Sequence, residues 1–483
     1  MAFNSFQFLL FFPAAVILNY LLPARHRWKL LLSASYFFYM CWNPIYALLL
    51  LASTISVYNA ALAIEPPSPE IRRKAALFSC LTVNLGILSL FKYDIFSDLD
   101  SWLWWTLDGI PVPEHALSLI MPVGLSFYTF QALGYLLDVY RGKIRAERHF
   151  GIFALFVSFF PQLLSGPIGR AQALIPQLVS SPDFSCKNAC HGILLMSWGL
   201  FKKVVVADRI SLFVSYYFDT PETFSGPVFI LAAILYAFQL YCDLSGYTDM
   251  ARGAARVLGI SLAVNFRLPY FSASISEFWR RWHVTLSSWF FDYLYTPLAV
   301  RLRGLGTPGI SLALLITFAL CGIWHGGGWN FLIFGLLQGL ALSFEMLFRK
   351  KGRKISKLIG ARIYSLLSKT LTFCYWTFSL IFFRTGSPGD AFHIIRTMFL
   401  LPDDARRVLL GFNRYNFGNW DFFLVLAMIC FVLVLERRQA EKELGEFYGT
   451  WKAWCRWTFC YFLLFAIVSY GVMDEQLFIY FQF

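Results

Sequence analysis

The chain has 483 residues, 58% of them hydrophobic and 14% charged, with a formal net charge of +13. A soluble domain carries about a quarter charged residues, so this composition excludes one. The basic residues stand in short clusters between apolar runs, which is the pattern of cytoplasmic loops of a membrane protein and not of a nucleic-acid-binding surface.

Apolar runs approaching the roughly 20 residues that a helix needs to cross a bilayer occur along the whole chain. They fall at 6–22, 30–40 with 44–64, 75–91, 117–139, 150–165, 192–207, 226–247, 309–324, 329–348, 366–383, 421–435 and 456–472. The first has a polar start and no small-x-small cleavage site before Arg25, so it reads as a retained span and not as a signal peptide. Pro122-Val-Gly124 and Pro161-Gln-Leu-Leu-Ser-Gly166-Pro167 interrupt membrane-depth sequence. Backbone groups freed there need protein or a water-filled cavity, which points to a cavity within the bundle. Asp138 is expected to pair near Arg141, and Lys202-Lys203 to anchor a span end. Asp243 and Asp249 lie in an apolar run and need partners, for which Arg252 or Arg256 are within reach, and a structural role is favoured for both acids. The ten cysteines are scattered, mostly inside apolar runs, and read as small core residues. Cys186, Cys190 and His191 lack a fourth ligand, so no metal site is assigned. With no repeat and few connectors, residues 1–483 read as one integrated all-α membrane domain.

The stretch 274–345 holds the chemistry. Ser274 and Glu277 form a capping box, so a helix is expected to start there. Its apolar positions Phe278, Trp282, Trp289 and Tyr293 and its polar positions Ser276, Arg280, His283 and Ser287 fall on separate faces at helical spacing, the pattern of an amphipathic helix lying at the membrane interface. His283 then shares a face with Arg280, where an anionic donor would arrive. Thr307-Pro308 supplies an N-cap and first-turn proline for the run 309–324. Gly335, Gly339 and Ser343 make a small-xxx-small stripe on the run 329–348, so the hairpin is expected to be buried among neighbouring helices and not exposed to lipid. Basic clusters at Arg301/Arg303 and Arg349–Lys357 flank the hairpin on the cytoplasmic side, which puts Trp324-His325-Gly326-Gly327-Gly328 at its other end. A histidine between two spans is a functional candidate, and three glycines after it leave no side chains to shield it and let a substrate approach closely. An imidazole there can take the proton of a hydroxyl as that oxygen attacks an acyl carbon. No Gly-x-Ser-x-Gly elbow and no neighbouring cysteine offers a nucleophile, which favours direct transfer. A buried structural histidine would look the same.

Several motifs occur together in order: Pro122-Val-Gly-Leu-Ser-Phe-Tyr128, Asp138-Val-Tyr-Arg-Gly142, Phe160-Pro-Gln-Leu-Leu-Ser-Gly-Pro167, Gly199-Leu-Phe-Lys-Lys203, Asp243-Leu-Ser-Gly-Tyr-Thr-Asp249, Glu277-Phe-Trp-Arg-Arg-Trp-His-Val-Thr-Leu-Ser287, Asp292-Tyr293, Gly322-Ile-Trp-His-Gly326 and a closing Phe478-Ile-Tyr-Phe-Gln-Phe483. In them the chain resembles the membrane-bound O-acyltransferase (MBOAT) family, most closely its bacterial branch typified by the alginate O-acetylation membrane subunit, with a motif core at about 120–348. The resemblance implies an all-α polytopic bundle of the bacterial inner membrane with a central tunnel and with re-entrant and interfacial helices. It implies an acyl thioester donor such as acetyl-CoA entering from the cytoplasm, no tightly bound cofactor, and an acceptor on the other side. His325 and His283 are then the catalytic candidates, His283 lying toward the cytoplasmic mouth, with Arg280, Arg281, Trp279, Trp324, Asn330 and Asp243 as candidate donor-side and tunnel residues. The expected product is an O-acetylated cell-surface polysaccharide or peptidoglycan, formed directly or through an SGNH-type extracytoplasmic partner, with membrane lipids around the bundle. Two alternatives stand beside it: a D-alanyl transferase toward teichoic acid fed by an acyl-carrier protein, and a transporter or lipid-handling scaffold.

Overall fold

The computed structural model describes residues 1–93, 122–224, 226–400, 419–438 and 444–472, and the closing motif and the start of the 117–139 run lie outside them. In chain order the α-helices are α1 (Phe6–Leu21), α2 (Ala24–Met40), α3 (Pro44–Ile64), α4 (Glu70–Lys92), α5 (Leu125–Tyr140), α6 (Phe150–Ser158), α7 (Phe160–Leu163), α8 (Ala171–Ser180), α9 (Cys186–Leu200), α10 (Asp208–Phe218), α11 (Val228–Val257), α12 (Ile275–Arg281), α13 (Val284–Phe290), α14 (Thr296–Arg301), α15 (Thr307–His325), α16 (Trp329–Ile359), α17 (Ala361–Arg384), α18 (Pro388–Thr397), α19 (Asn419–Arg438), α20 (Leu444–Gly449) and α21 (Ala453–Tyr470). Among the described residues no strand occurs, and eight helical spans are long and apolar enough to cross a membrane.

Two compact units make up the chain, residues 1–196 with 250–263, and residues 197–249 with 264–483. In the first unit, Ser53 of α3 donates to Asn84 of α4 across a buried seam at 2.6 Å, a pairing that keeps polar groups satisfied at membrane depth. Arg73 donates to the carbonyls of Ile64 and Tyr140 and so caps the C-terminal ends of α3 and α5. Asp138 pairs with Lys143 at 3.5 Å, two residues beyond Arg141. The proline breaks meet each other: a side chain on Gly124, which has φ 79°, would lie 2.4 Å from the Leu163 carbonyl oxygen. The freed backbone is served by protein groups. Ser35 accepts from the Phe160 N–H, Gln131 from the Gly169 N–H, and Gln162 donates to the Phe156 carbonyl.

The second unit is built on the α15–α16 hairpin. Gly335 faces the Phe318 carbonyl oxygen, which an added Cβ would approach to 2.2 Å, and its Cβ would lie 3.1 Å from the Gly322 Cα. Gly339 meets Leu315 in the same way, and Ser343 turns its hydroxyl back to the Gly339 carbonyl at 2.9 Å. The expected small-residue stripe is thus the hairpin seam. Its outer side is open, with Leu312, Leu320, Leu340, Phe344 and Leu347 exposed, so the hairpin presents an apolar face where burial on all sides is expected, and no helix among the described residues covers these five side chains. Gly306, at φ 63°, caps α15, and Thr307 is the first helical residue and not the cap.

Buried charge in this unit gathers around a π-helix at Phe201–Ala207. Lys202 bonds Asp249 at 2.8 Å and Glu436 at 3.0 Å; Lys203 bonds Asp208 at 2.7 Å and Asp243 at 2.8 Å. Both lysines are buried, so they are partners of the intramembrane acids and not a span-end anchor. Arg252 and Arg256, the partners expected from the sequence, lie on the same helix as both Asp243 and Asp249.

Candidate active site

His325 is the last residue of α15, and the turn to α16 closes directly behind it. Gly326 is extended there, its N–H bonded to the Ile323 carbonyl, and an added Cβ would lie 2.3 Å from the Phe331 ring. The glycine therefore serves close packing of the turn. The imidazole is buried. Its neighbours are the rings of Trp324 at 4.7 Å, Phe383 at 5.0 Å and Phe334 at 6.1 Å between centroids. The expectation of an unshielded histidine is corrected: the following glycines carry no side chains, but aromatic rings from α16 and α17 cover the ring. Asn330, also buried, donates to the carbonyls of Phe382 at 3.2 Å and Thr385 at 2.7 Å. It ties the first turn of α16 to the end of α17, beside Phe383.

The segment before the hairpin departs further from its sequence reading. Ser274 caps the helix as expected, its Oγ accepting the Glu277 N–H at 3.1 Å, while the Glu277 carboxylate reaches one residue further back than a capping box requires, to the Ala273 N–H. Helix α12 nevertheless ends at Arg281, and His283 adopts a left-handed conformation (φ 42°, ψ 54°) before α13 begins. Two backbone bonds to residues 19 and 14 positions earlier in the chain impose the break: Val284 N–H to the Asn265 carbonyl at 2.8 Å, and Arg267 N–H to the Arg281 carbonyl at 2.9 Å. The Asn265 side chain accepts from both the N–H and the hydroxyl of Thr285. His283 therefore leaves the face of Arg280. Arg280 is exposed and bonded to Ser276, whereas His283 is buried with Phe266 at 5.9 Å. Burial pushes the His283 imidazole down from 6.5 to about 4, so it is neutral at neutral pH. Arg281 is engaged in holding the segment, paired with Glu277 at 2.5 Å and reaching the Leu268 carbonyl.

Nor does the segment lie flat. Glu345 of α16 accepts from the N–H groups of Ile275 and Ser276, Gln338 accepts from Trp279 Nε1 at 3.3 Å, and Phe290 packs against Trp324. Along α16, Glu345 and Gln338 lie about 24 and 14 Å beyond Trp329. The contacts thus climb the hairpin from its basic end toward His325. Gln338 also donates to Ser379 Oγ at 2.8 Å, joining α12, α16 and α17 through one side chain. From His283 an unbroken wall of rings leads to His325: Phe266, Trp282, Trp376 and Phe334, with successive centroids 5.0–6.1 Å apart.

Of the candidates, the structure joins His325, Trp324, Asn330, Trp279 and His283 to this wall or its supports. Arg280 is at the surface, and Asp243 belongs to the lysine network. Sequence reasoning missed Gln338, Glu345, Asn265 and Trp376. A polar residue at membrane depth was the available signal for the first two.

The membrane-bound O-acyltransferase family model matches residues 145–383, which include both histidines and the wall between them. Over 395 residues the chain is 35% identical to the peptidoglycan O-acetyltransferase of Helicobacter pylori, covering 76% of this chain and 73% of that one. The chain belongs to the membrane-bound O-acyltransferase family. It is 36% identical over 357 residues to the probable alginate O-acetylase AlgI of Azotobacter vinelandii (72% of this chain, 69% of the relative). It is 26% identical over 326 residues to the teichoic acid D-alanyltransferase of Bacillus subtilis (65% and 79%). As an MBOAT enzyme it is an acyltransferase, and its spanning helices make it a multi-pass bacterial membrane protein.

Proposed function

We propose that this MBOAT enzyme takes acetyl from cytoplasmic acetyl-CoA and transfers it across the membrane to hydroxyls of a cell-surface polysaccharide or peptidoglycan, directly or through an extracytoplasmic partner. The observation that carries the reading is similarity at 35–36% identity, over about three quarters of the chain, to relatives named for O-acetyl transfer, against 26% for the D-alanyltransferase. In this reading His325 is the general base. The acceptor oxygen bonds to the acetyl carbon, the carbon–sulfur bond breaks, the hydroxyl proton passes to the imidazole and from there to the departing thiolate. The aromatic wall supports the scheme by keeping water from the thioester, which would otherwise be hydrolysed. Helix α15 is about 28 Å long, so His325 lies a membrane's thickness from the basic loop at Arg301 and Arg303, and the acetyl group must reach it through the protein.

The test is to incubate sealed membranes containing the protein with acetyl-labelled CoA on the cytoplasmic side and identify the labelled extracytoplasmic product. Labelled polysaccharide, peptidoglycan or acetylated partner protein supports the proposal. Label transfer only from a D-alanyl-loaded carrier protein would replace it with the D-alanyl reading.

A further inference from the structure

Helix α19 lies beyond the last residue matched by the family model, Phe383, yet it supplies a charge to the interior of the second unit. Glu436 is nine-tenths buried. One carboxylate oxygen bonds Lys202 Nζ at 3.0 Å, and the other accepts the Tyr241 hydroxyl. The next residue, Arg437, stands with its guanidinium 5.4 Å from the centre of the Phe271 ring. A buried carboxylate at this depth is costly unless its lone pairs are engaged, and such groups are retained where they specify one arrangement over others.

What Tyr241 touches gives that arrangement its meaning. Its ring lies 5.3 Å from Tyr270, 5.9 Å from Phe266 and 6.2 Å from Trp282. These rings pack on both sides of the break at His283, with Phe266 against the imidazole itself. Tyr270 is fixed a second time, its hydroxyl donating to the Ala237 carbonyl. The chain of contact runs Lys202, Glu436, Tyr241, Trp282, and ends on the ring wall that leads to His325.

We propose that Glu436, acting through the Tyr241 hydroxyl, is a positioning residue for the donor-side segment that carries Trp282 and His283. The helix outside the family-matched region thereby sets the geometry in which the donor is held. The inference rests on the reading of that segment as donor-facing. Glu436→Gln keeps the shape but exchanges the acceptor that Tyr241 and Lys202 share; Tyr241→Phe deletes one hydroxyl and nothing else. If the pair acts as a unit, each variant raises the donor KM about tenfold with kcat within about twofold, and the double variant matches either single one.

Kinetics of detergent-purified wild type, both single variants and the double variant, with acetyl-CoA concentration varied, read this directly. A merely structural role would lower the active fraction and hence the apparent kcat while leaving KM at the wild-type value, and that result overturns the proposal. So do KM effects that multiply in the double variant. Should Glu436→Gln fail to fold, a wild-type KM in Tyr241→Phe alone overturns it. A wild type that uses no acetyl-CoA refutes the proposed donor instead; the same comparison is then run with the D-alanyl-loaded carrier protein, so the two failures are distinct.

Discussion

His325 and His283 are both buried beside aromatic rings. At the hairpin turn, His325 stands among the rings of Trp324, Phe334 and Phe383. Loss of a positioned proton acceptor costs about a hundred- to ten-thousandfold in rate. His325→Ala should therefore nearly abolish transfer, and His325→Gln, which retains approximate size and hydrogen bonding but accepts no proton, should fail equally while melting close to wild type in detergent. Substantial activity in the glutamine variant would remove the general-base role. The burial of His283 also has a consequence for stability. Its folded value of about 4 lies below the ordinary 6.5, so the unfolded chain binds the extra proton as pH falls between these values and stability declines across that window. At pH 5 the loss is about 2 kcal/mol. Thermal unfolding at pH 7.5 and pH 5 should show a smaller acid-induced drop in His283→Gln than in wild type, and equal drops would contradict the burial argument.

At the scale of elements, the hairpin seam is where the sequence was most legible, because spacing within one helix encodes it. Gly335, Gly339 and Ser343 read as a contact stripe and are one. Gly335→Leu must push a side chain against the Phe318 carbonyl, which cannot turn away, and overpacking of this kind costs about 1–3 kcal/mol. A lowered melting temperature and reduced transfer are expected, whereas Leu340→Ala on the exposed side of the same helix should change neither by much; equal effects would place the seam elsewhere. The break at His283 was not legible, because local sequence favours a continuous amphipathic helix there. Its left-handed backbone is imposed by Asn265 and Arg267, which no periodicity connects to it. The same holds for Lys202 and Lys203, whose partners stand 5 to 234 positions away along the chain.

For the whole molecule, composition and basic clusters carried the membrane reading, and eight spanning-length helices agree with it. With both hairpin flanks cytoplasmic, a cysteine in place of Gly352 should resist impermeant thiol reagents applied to spheroplasts. A cysteine replacing the exposed Trp329 should react. The reverse pattern would invert the path assigned to the acetyl group. The lysine network has a bearing on biogenesis as well. The span Cys186–Phe218 carries both lysines, each costing roughly 2.5–3.5 kcal/mol at a helix centre during insertion. Its neutralising acids are Asp208 within the same span, Asp243 and Asp249 one span later, and Glu436 more than 200 residues on. On the ribosome, this segment must therefore wait for a later one before it can settle in the bilayer. A nascent chain ending at residue 224 should leave the segment poorly inserted by a topology reporter, and one extended through residue 257 should restore it. The order of synthesis thus becomes part of how an ion network forms in lipid.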